Sequence, residues 1–129
     1  MRLVLLYWAP LIAYMALVFS LSANPMPEEL PDYWQIDKLY HFSAYFVMGL
    51  LWGRAISSGR AGRLGMGVFV AAALITVTFG SLVEVYQSLL PYRTGDVVDA
   101  VANGAGGFSG VFIYGRLKRW KLRSAERAL

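Results

Sequence analysis

The sequence contains no cysteine and few charged residues. Of its 129 residues, 16% are charged and 57% are hydrophobic, whereas ordinary globular chains have about 25% and roughly 45–50%. Without cysteine, disulfide bonds, thiolate metal sites and cysteine nucleophiles are excluded. A soluble domain of this size has too much surface to hide so much apolar material. Intrinsic disorder, a nucleic-acid-binding domain and a secreted disulfide scaffold therefore fit poorly, and the composition indicates a membrane protein.

Four apolar segments are long enough to cross a bilayer, which takes about 20 residues. The first has no charged residue and exceeds the roughly 7–15 residues of a signal-peptide core, so we expect it to be a retained helix. The sequence therefore predicts an all-α fold, a bundle of four transmembrane helices in a single membrane domain over residues 1–129. The predicted spans are 3–22, 39–56, 64–90 and 97–115, followed by a basic tail over 116–129.

The distribution of charge predicts the orientation of these spans. Basic residues precede the first span, follow the second without any acid, and dominate the tail; they are Arg2, then Arg54, Arg60 and Arg63, then Arg116, Lys118, Arg119, Lys121, Arg123 and Arg127. Because positive loops stay in the cytoplasm, both termini are predicted to be cytoplasmic, with loops 23–37 and 90–96 outside. We interpret the tail as a topology signal that touches anionic lipid, and we expect no nucleic-acid partner.

Polar residues gather at the ends of three spans that face outward in this topology. They are Asp37, Lys38 and His41 in the second span's entry, Glu84, Gln87 and Ser88 at the third span's exit, and Arg93, Asp96, Asp99 and Asn103 around the fourth span's entry. Ionisable groups inside a membrane are costly, so each is a functional hypothesis. We expect these side chains to meet at one membrane face.

Depth and facing support this expectation. At 1.5 Å rise per residue, His41 lies about 6 Å below Asp37 along its helix. Glu84 lies roughly 28 Å along a span that starts near Gly65, close to the outer edge of a core about 30 Å thick. Within each set the residues are three or four apart, a spacing that shares one helix face. His41, Glu84 and Asp99 are thus predicted to lie in one layer.

Structural explanations stand beside the functional ones. Asp37, Lys38 and Asp96 can be solvated residues at helix ends, where the dipole favours acids at N-termini. Glu84 can pair with Arg93 for purely structural reasons, and Asn103 can join helices through a hydrogen bond. The small-residue spacing of Gly106 and Gly110 indicates close helix packing.

The spacing of these residues resembles a family signature. Glu84 is followed by Gln at +3, Pro at +7, Arg at +9, acids at +12 and +15, Asn at +19 and Gly at +22: Gln87, Pro91, Arg93, Asp96, Asp99, Asn103 and Gly106. Together with Asp37-Lys38-x-x-His41-Phe42-x-x-Tyr45, this resembles the VanZ-like family over roughly residues 35–115. The resemblance implies a small bacterial inner-membrane protein whose family namesake is linked to teicoplanin resistance. It implies a fold and a site, but no reaction.

Binding is the first functional hypothesis. Lys38, His41 and Arg93 offer donors for phosphate, and an arginine can grip phosphate with two parallel hydrogen bonds. Carboxylates can orient that arginine or accept from sugar hydroxyls and ammonium groups. The expected ligand is an anionic cell-envelope lipid or a lipid-linked wall precursor. The predicted binding residues are Asp37, Lys38, His41, Glu84, Gln87, Arg93, Asp96, Asp99 and Asn103.

Catalysis and transport are the alternatives. A hydrolase or transferase acting on a lipid-linked substrate would use His41, Glu84 and Asp99 as an acid/base set, and with Asp96 they are numerous enough to bind a divalent metal. Neither an H-E-x-x-H spacing nor a nucleophile elbow occurs, so we assign no metal or cofactor and do not place an enzyme first. A proton-coupled transporter would need an oligomer, because the polar residues stop near one face.

Overall fold

The computed structural model describes residues 4–25, 34–58, 65–92 and 95–128. These ranges contain four α-helices and no strand. The helices are α1 (Ala9–Ala23), α2 (Trp34–Ile56), α3 (Met66–Ser88) and α4 (Val97–Glu126). A π-helical turn, Val4–Trp8, leads into α1, whose first turn includes Pro10, a residue that has no amide hydrogen to donate. The predicted all-α fold with four helices in this order is confirmed.

The helix boundaries differ from the predicted spans at two places. Helix α2 starts at Trp34 rather than at residue 39, because Asp37 and Lys38 belong to its first turns and not to a loop. Helix α4 continues to Glu126, so the predicted end of the fourth span at residue 115 falls within the helix. The residues after Gly115 are mostly leucine, lysine and arginine, which favour helix. At 30 residues, α4 is about 45 Å long, longer than a bilayer core of about 30 Å.

Three of the described helices are long and apolar enough to cross a membrane. They are Leu5–Ala23, Met66–Ser88 and Val97–Glu126. Helix α2 is not among them, since it includes Asp37, Lys38, His41 and Arg54. Large apolar side chains point outward on the other helices, with Leu5 63% exposed on the segment before α1 and Leu82 63% exposed on α3. This pattern is that of a helical membrane protein.

Helix α2 lies at the centre of the bundle. It makes its most extensive contacts with α4 and also packs against α1 and α3. Between α1 and α2 the buried core comprises Leu11, Val18, Tyr45, Met48 and Ala55. Because consecutive helices alternate in direction, the start of α2, the end of α3 and the start of α4 meet at one end of the bundle.

Glycine allows the backbones of α2 and α4 to touch. A Cβ atom at Gly106 would collide with the Phe42 carbonyl group, and one at Gly110 would collide with the Phe46 carbonyl group. From the other side, a Cβ atom at Gly49 would collide with Gly107. The close packing predicted from the Gly106 and Gly110 spacing is confirmed. Only glycine leaves room for this approach, because every other residue adds the colliding atom.

Replacing Gly110 with alanine should destabilise the protein. Overpacking typically costs about 1–3 kcal/mol, and here the added methyl group meets backbone that cannot rotate away. The measurement is the melting temperature in detergent, followed by circular dichroism. Gly104→Ala on the same helix is the matched control, because its Cβ atom would meet only the Val77 Cγ2 atom at 3.5 Å. Equal melting temperatures for the two variants would contradict the packing argument.

Candidate functional site

Lys38 joins three carboxylates at the end of the bundle where α2 and α4 begin. Its Nζ atom lies 3.2 Å from Asp37 Oδ2 and 2.7 Å from Asp96 Oδ2, and it also donates to Asp99 Oδ1. The Lys38 side chain is only 14% exposed and that of Asp99 9%. Because the ammonium group is largely shielded from water, its carboxylate partners are needed to offset the free-energy cost of burying its charge.

His41 lies one turn deeper along α2 and contacts the other helices. Its Nδ1 atom is 3.0 Å from Asn103 Oδ1 and 3.6 Å from Glu84 Oε1. Its Nε2 atom is 3.7 Å from Asp37 Oδ1 and 3.8 Å from Asp99 Oδ2. The two ring nitrogens therefore face different surroundings, an amide oxygen and one carboxylate at Nδ1 and two carboxylates at Nε2.

Glu84 ties the end of α3 to the start of α4. Its Oε2 atom accepts from the Asp96 backbone amide at 3.3 Å, and its Oε1 atom accepts from Asn103 Nδ2 at 3.4 Å. Glu84 is 7% exposed and Asn103 is fully buried. The predicted shared layer of His41, Glu84 and Asp99 is thus present, with Asn103 at its deep end.

These contacts define the direction of the hydrogen bonds. An ionised carboxylate only accepts, so the Asn103 end that faces Glu84 is the donating NH2 group. The Asn103 oxygen consequently faces His41 Nδ1, which must donate to it. In the neutral ring the second nitrogen, Nε2, then has the lone pair, and in the protonated ring it carries a hydrogen directed at Asp37 and Asp99.

Two glycines that the sequence reasoning did not single out shape the cluster. A Cβ atom at Gly80 would lie 2.9 Å from the Tyr45 ring and 3.0 Å from Asn103 Cβ. A Cβ atom at Gly95 would lie 3.1 Å from the Glu84 carbonyl oxygen. A glycine within an apolar helix and one just before a helix-capping Asp are the sequence signals that could have found them.

Gln87 is the predicted site residue that the described part of the structure places outside the cluster. The Gln87 side chain donates to the Ser22 carbonyl oxygen at 3.2 Å, so it holds the end of α1 against α3. The Tyr92 hydroxyl group makes a similar contact, donating to the Ala23 carbonyl oxygen at 2.9 Å. Arg93 lies outside the described residues, and so does its predicted pairing with Glu84.

The assembled cluster, named here the acid–histidine cluster, comprises Asp37, Lys38, His41, Glu84, Asp96, Asp99 and Asn103. Four carboxylates face one lysine and one histidine in it, so the cluster has an excess of negative charge. The side chains of Asp37 and Asp96 are 33% and 36% exposed, which makes them its accessible end. Chemically, the cluster can accept from hydroxyl and ammonium groups or hold a cation.

Apolar helices with a charged cluster between them at one end define a helical membrane protein with an internal polar site. The family model described as VanZ/LLP1 matches residues 3–118, from the first turns before α1 to far along α4. The chain belongs to the VanZ/LLP1 family, and the resemblance predicted from the sequence is confirmed. No curated protein and no solved structure matches the chain.

The cluster should make stability depend on pH through Asp96. The hydrogen bond from Lys38, followed by that from the Val98 amide, holds the pKa of Asp96 below its ordinary value. As the pH falls, the unfolded chain, in which aspartate titrates near about 3.9, binds the proton first. The stabilisation is therefore complete above that ordinary value and is lost as the pH falls through the lowered one.

Asp96→Asn tests this dependence, because asparagine remains a good helix cap but loses the charge that attracts Lys38. We expect a lower melting temperature than wild type at about pH 6 and a shallower decline below about pH 4. Circular dichroism melting across the pH range measures both. Glu126→Gln, near the exposed end of α4, should keep the wild-type profile. Superimposable profiles for wild type and Asp96→Asn would refute the assignment.

Proposed function

We propose that the protein is a four-pass inner-membrane protein that binds the headgroup of an anionic envelope lipid or lipid-linked wall precursor. In this proposal α2 crosses the membrane in addition to the three apolar helices. Both termini are cytoplasmic, and the acid–histidine cluster faces outward. The observation that supports it is the location of the cluster at one end of helices that expose apolar side chains elsewhere. A lipid matches both surfaces, since its chains suit the apolar faces and its headgroup the cluster.

The chemistry of the cluster suits a headgroup with several polar groups. Asp37 and Asp96, at the accessible end, can accept from sugar hydroxyl or ammonium groups. The phosphate needs positive charge, for which the sequence offers Arg93 on the connection between α3 and α4. Binding of a wall precursor would change its availability or its access to an antibiotic, so we propose glycopeptide susceptibility, including that to teicoplanin, as the cellular trait affected.

One observation favours a second candidate, a hydrolase or transferase acting on a lipid-linked substrate. His41 Nε2 has no hydrogen bond among the described residues, while Asn103 and Glu84 orient the ring from its other side. A free imidazole nitrogen held in this way is the arrangement of a general base. Transport has no comparable observation in its favour.

Native mass spectrometry of the detergent-purified protein tests the binding proposal. We expect wild type to retain an anionic lipid and a folded Arg93→Ala variant to lose it, because the phosphate partner is gone. Arg123→Ala is the control, because Arg123 lies in the last turn of α4, far along the helix from the cluster at its start, and this variant should retain the lipid. Circular dichroism confirms folding of each variant. Absence of any specific lipid from wild type, or equal retention in all three proteins, would refute headgroup binding at this site.

The same measurement separates binding from catalysis. If the protein only binds, a folded His41→Gln variant should hold no lipid species that is absent from wild type. If it turns over a lipid-linked substrate, wild type should release its product, while His41→Gln should trap an uncleaved lipid. A trapped species found only in the histidine variant would favour the enzyme.

A further inference from the structure

We infer that the acid–histidine cluster contains a binding site for a divalent transition-metal ion, formed by Asp37 Oδ1, His41 Nε2 and Asp99 Oδ2. The ligand atoms offered by these three side chains all lie within 4.8 Å of one another. Asp37 and His41 come from adjacent turns of α2, and Asp99 comes from the first turn of α4. The sequence reasoning assigned no metal, because no recognised metal-ligand spacing such as H-E-x-x-H occurs in the chain.

The three atoms include no hydrogen-bond donor when the His41 imidazole is neutral. The chain from Glu84 through Asn103 to His41 Nδ1 places the imidazole proton on the far side of the ring. Two carboxylate oxygens and a nitrogen lone pair then converge on one point. Three acceptors at short range repel one another unless a cation lies between them.

The distances favour an ion over a proton in this position. His41 Nε2 lies 3.7 Å from Asp37 Oδ1 and 3.8 Å from Asp99 Oδ2, longer than the roughly 2.7–3.2 Å of a hydrogen bond. Ligands at about 2.0–2.2 Å from a tetrahedral zinc ion lie about 3.3–3.6 Å apart. Each of these two distances slightly exceeds that range, while the three ligand atoms extend over up to 4.8 Å. Closing the site therefore requires the Asp37 side chain, which is 33% exposed, to move toward Asp99.

Lys38 leaves this position open. It contacts Asp37 through Oδ2 and Asp99 through Oδ1, so each carboxylate turns its other oxygen toward His41.

The Tyr45 hydroxyl group, one turn below His41 on α2, is a separate polar group without a hydrogen-bond partner among the described residues. Tyr45 is 2% exposed, and its ring lies beside the Asn103 side chain.

The ligand types indicate which ions fit. Imidazole suits zinc and other first-row transition metals, whereas magnesium and calcium prefer sites made only of oxygen. Asn103 and Glu84 would act as the outer shell that holds the ring, the usual arrangement for a metal-bound histidine. Zinc is accordingly the probe of choice, with magnesium as the comparison ion.

The metal would also explain how an acid-rich cluster receives a phosphate, a role that rests on the proposed function. Four carboxylates with one lysine repel an anion, and a divalent ion held at Asp37, His41 and Asp99 would supply the missing positive charge. The headgroup phosphate would then occupy an open coordination position of the ion. The metal site itself does not require the lipid.

A single histidine in the chain makes nuclear magnetic resonance the direct test. Histidine-selective ¹⁵N labelling of EDTA-treated, lipid-stripped protein in detergent gives signals from one imidazole. We expect a protonated Nδ1 and an unprotonated Nε2. Zinc chloride should move the Nε2 signal and leave the Nδ1 proton in place, and magnesium chloride should change neither. An Nε2 signal that zinc does not move, or a proton found on Nε2 at neutral pH, would overturn the inference.

Titration calorimetry with zinc chloride adds stoichiometry. We expect one ion per chain, with Asp99→Asn at least tenfold weaker and Glu126→Gln within about twofold of wild type. If Asp99→Asn does not fold, the response of the wild-type His41 Nε2 signal to zinc chloride tests the inference by itself. Zinc binding without retained lipid would leave the inference standing and refute the headgroup proposal. Lipid that stays bound after EDTA treatment, in a protein that does not bind zinc, would refute the metal site and leave the headgroup proposal standing.

Discussion

The close approach of α2 and α4 is the constraint on which the rest of the structure depends. Gly106 and Gly110 let the α4 backbone touch the carbonyl groups of Phe42 and Phe46. At that separation a lysine of α2 reaches two aspartates of α4, and His41 reaches Asn103. With larger residues at the glycine positions, these short polar contacts would open and leave charges unpaired in an apolar bundle.

The polar contacts in turn determine how α3 joins this pair. Glu84 lies among apolar residues and needs donors, and it receives them from the Asp96 backbone and from Asn103. The bond from Asn103 fixes the direction of its amide and, through it, the proton on His41 Nδ1. A structural requirement of one buried carboxylate thereby sets the chemistry of a histidine on another helix.

Much of the fold and part of the site could be predicted from the sequence for local reasons. Long apolar runs predicted the helices, and residues three and four apart predicted which of them share a face. The helices extend beyond the predicted spans where the sequence is charged: Asp37 and Lys38 lie in the first turns of α2, and the basic stretch continues α4. Gln87 has the spacing of a site residue but contacts Ser22 of α1, because spacing along a helix does not specify which neighbour the face meets.

The sequence by itself determined the class of the protein, its helices, its family and the end of the bundle where the polar residues gather. The class, the helices and the polar end follow from composition and from the periodicity of single helices, whereas the family follows from the resemblance of the motif spacing to a known signature. Only the tertiary structure decided which atoms pair. Lys38 takes one oxygen from each of two aspartates and leaves the other facing His41 Nε2. Such a division depends on distances between separate helices, which the backbone contact of α2 and α4 sets and which no local pattern in the chain encodes.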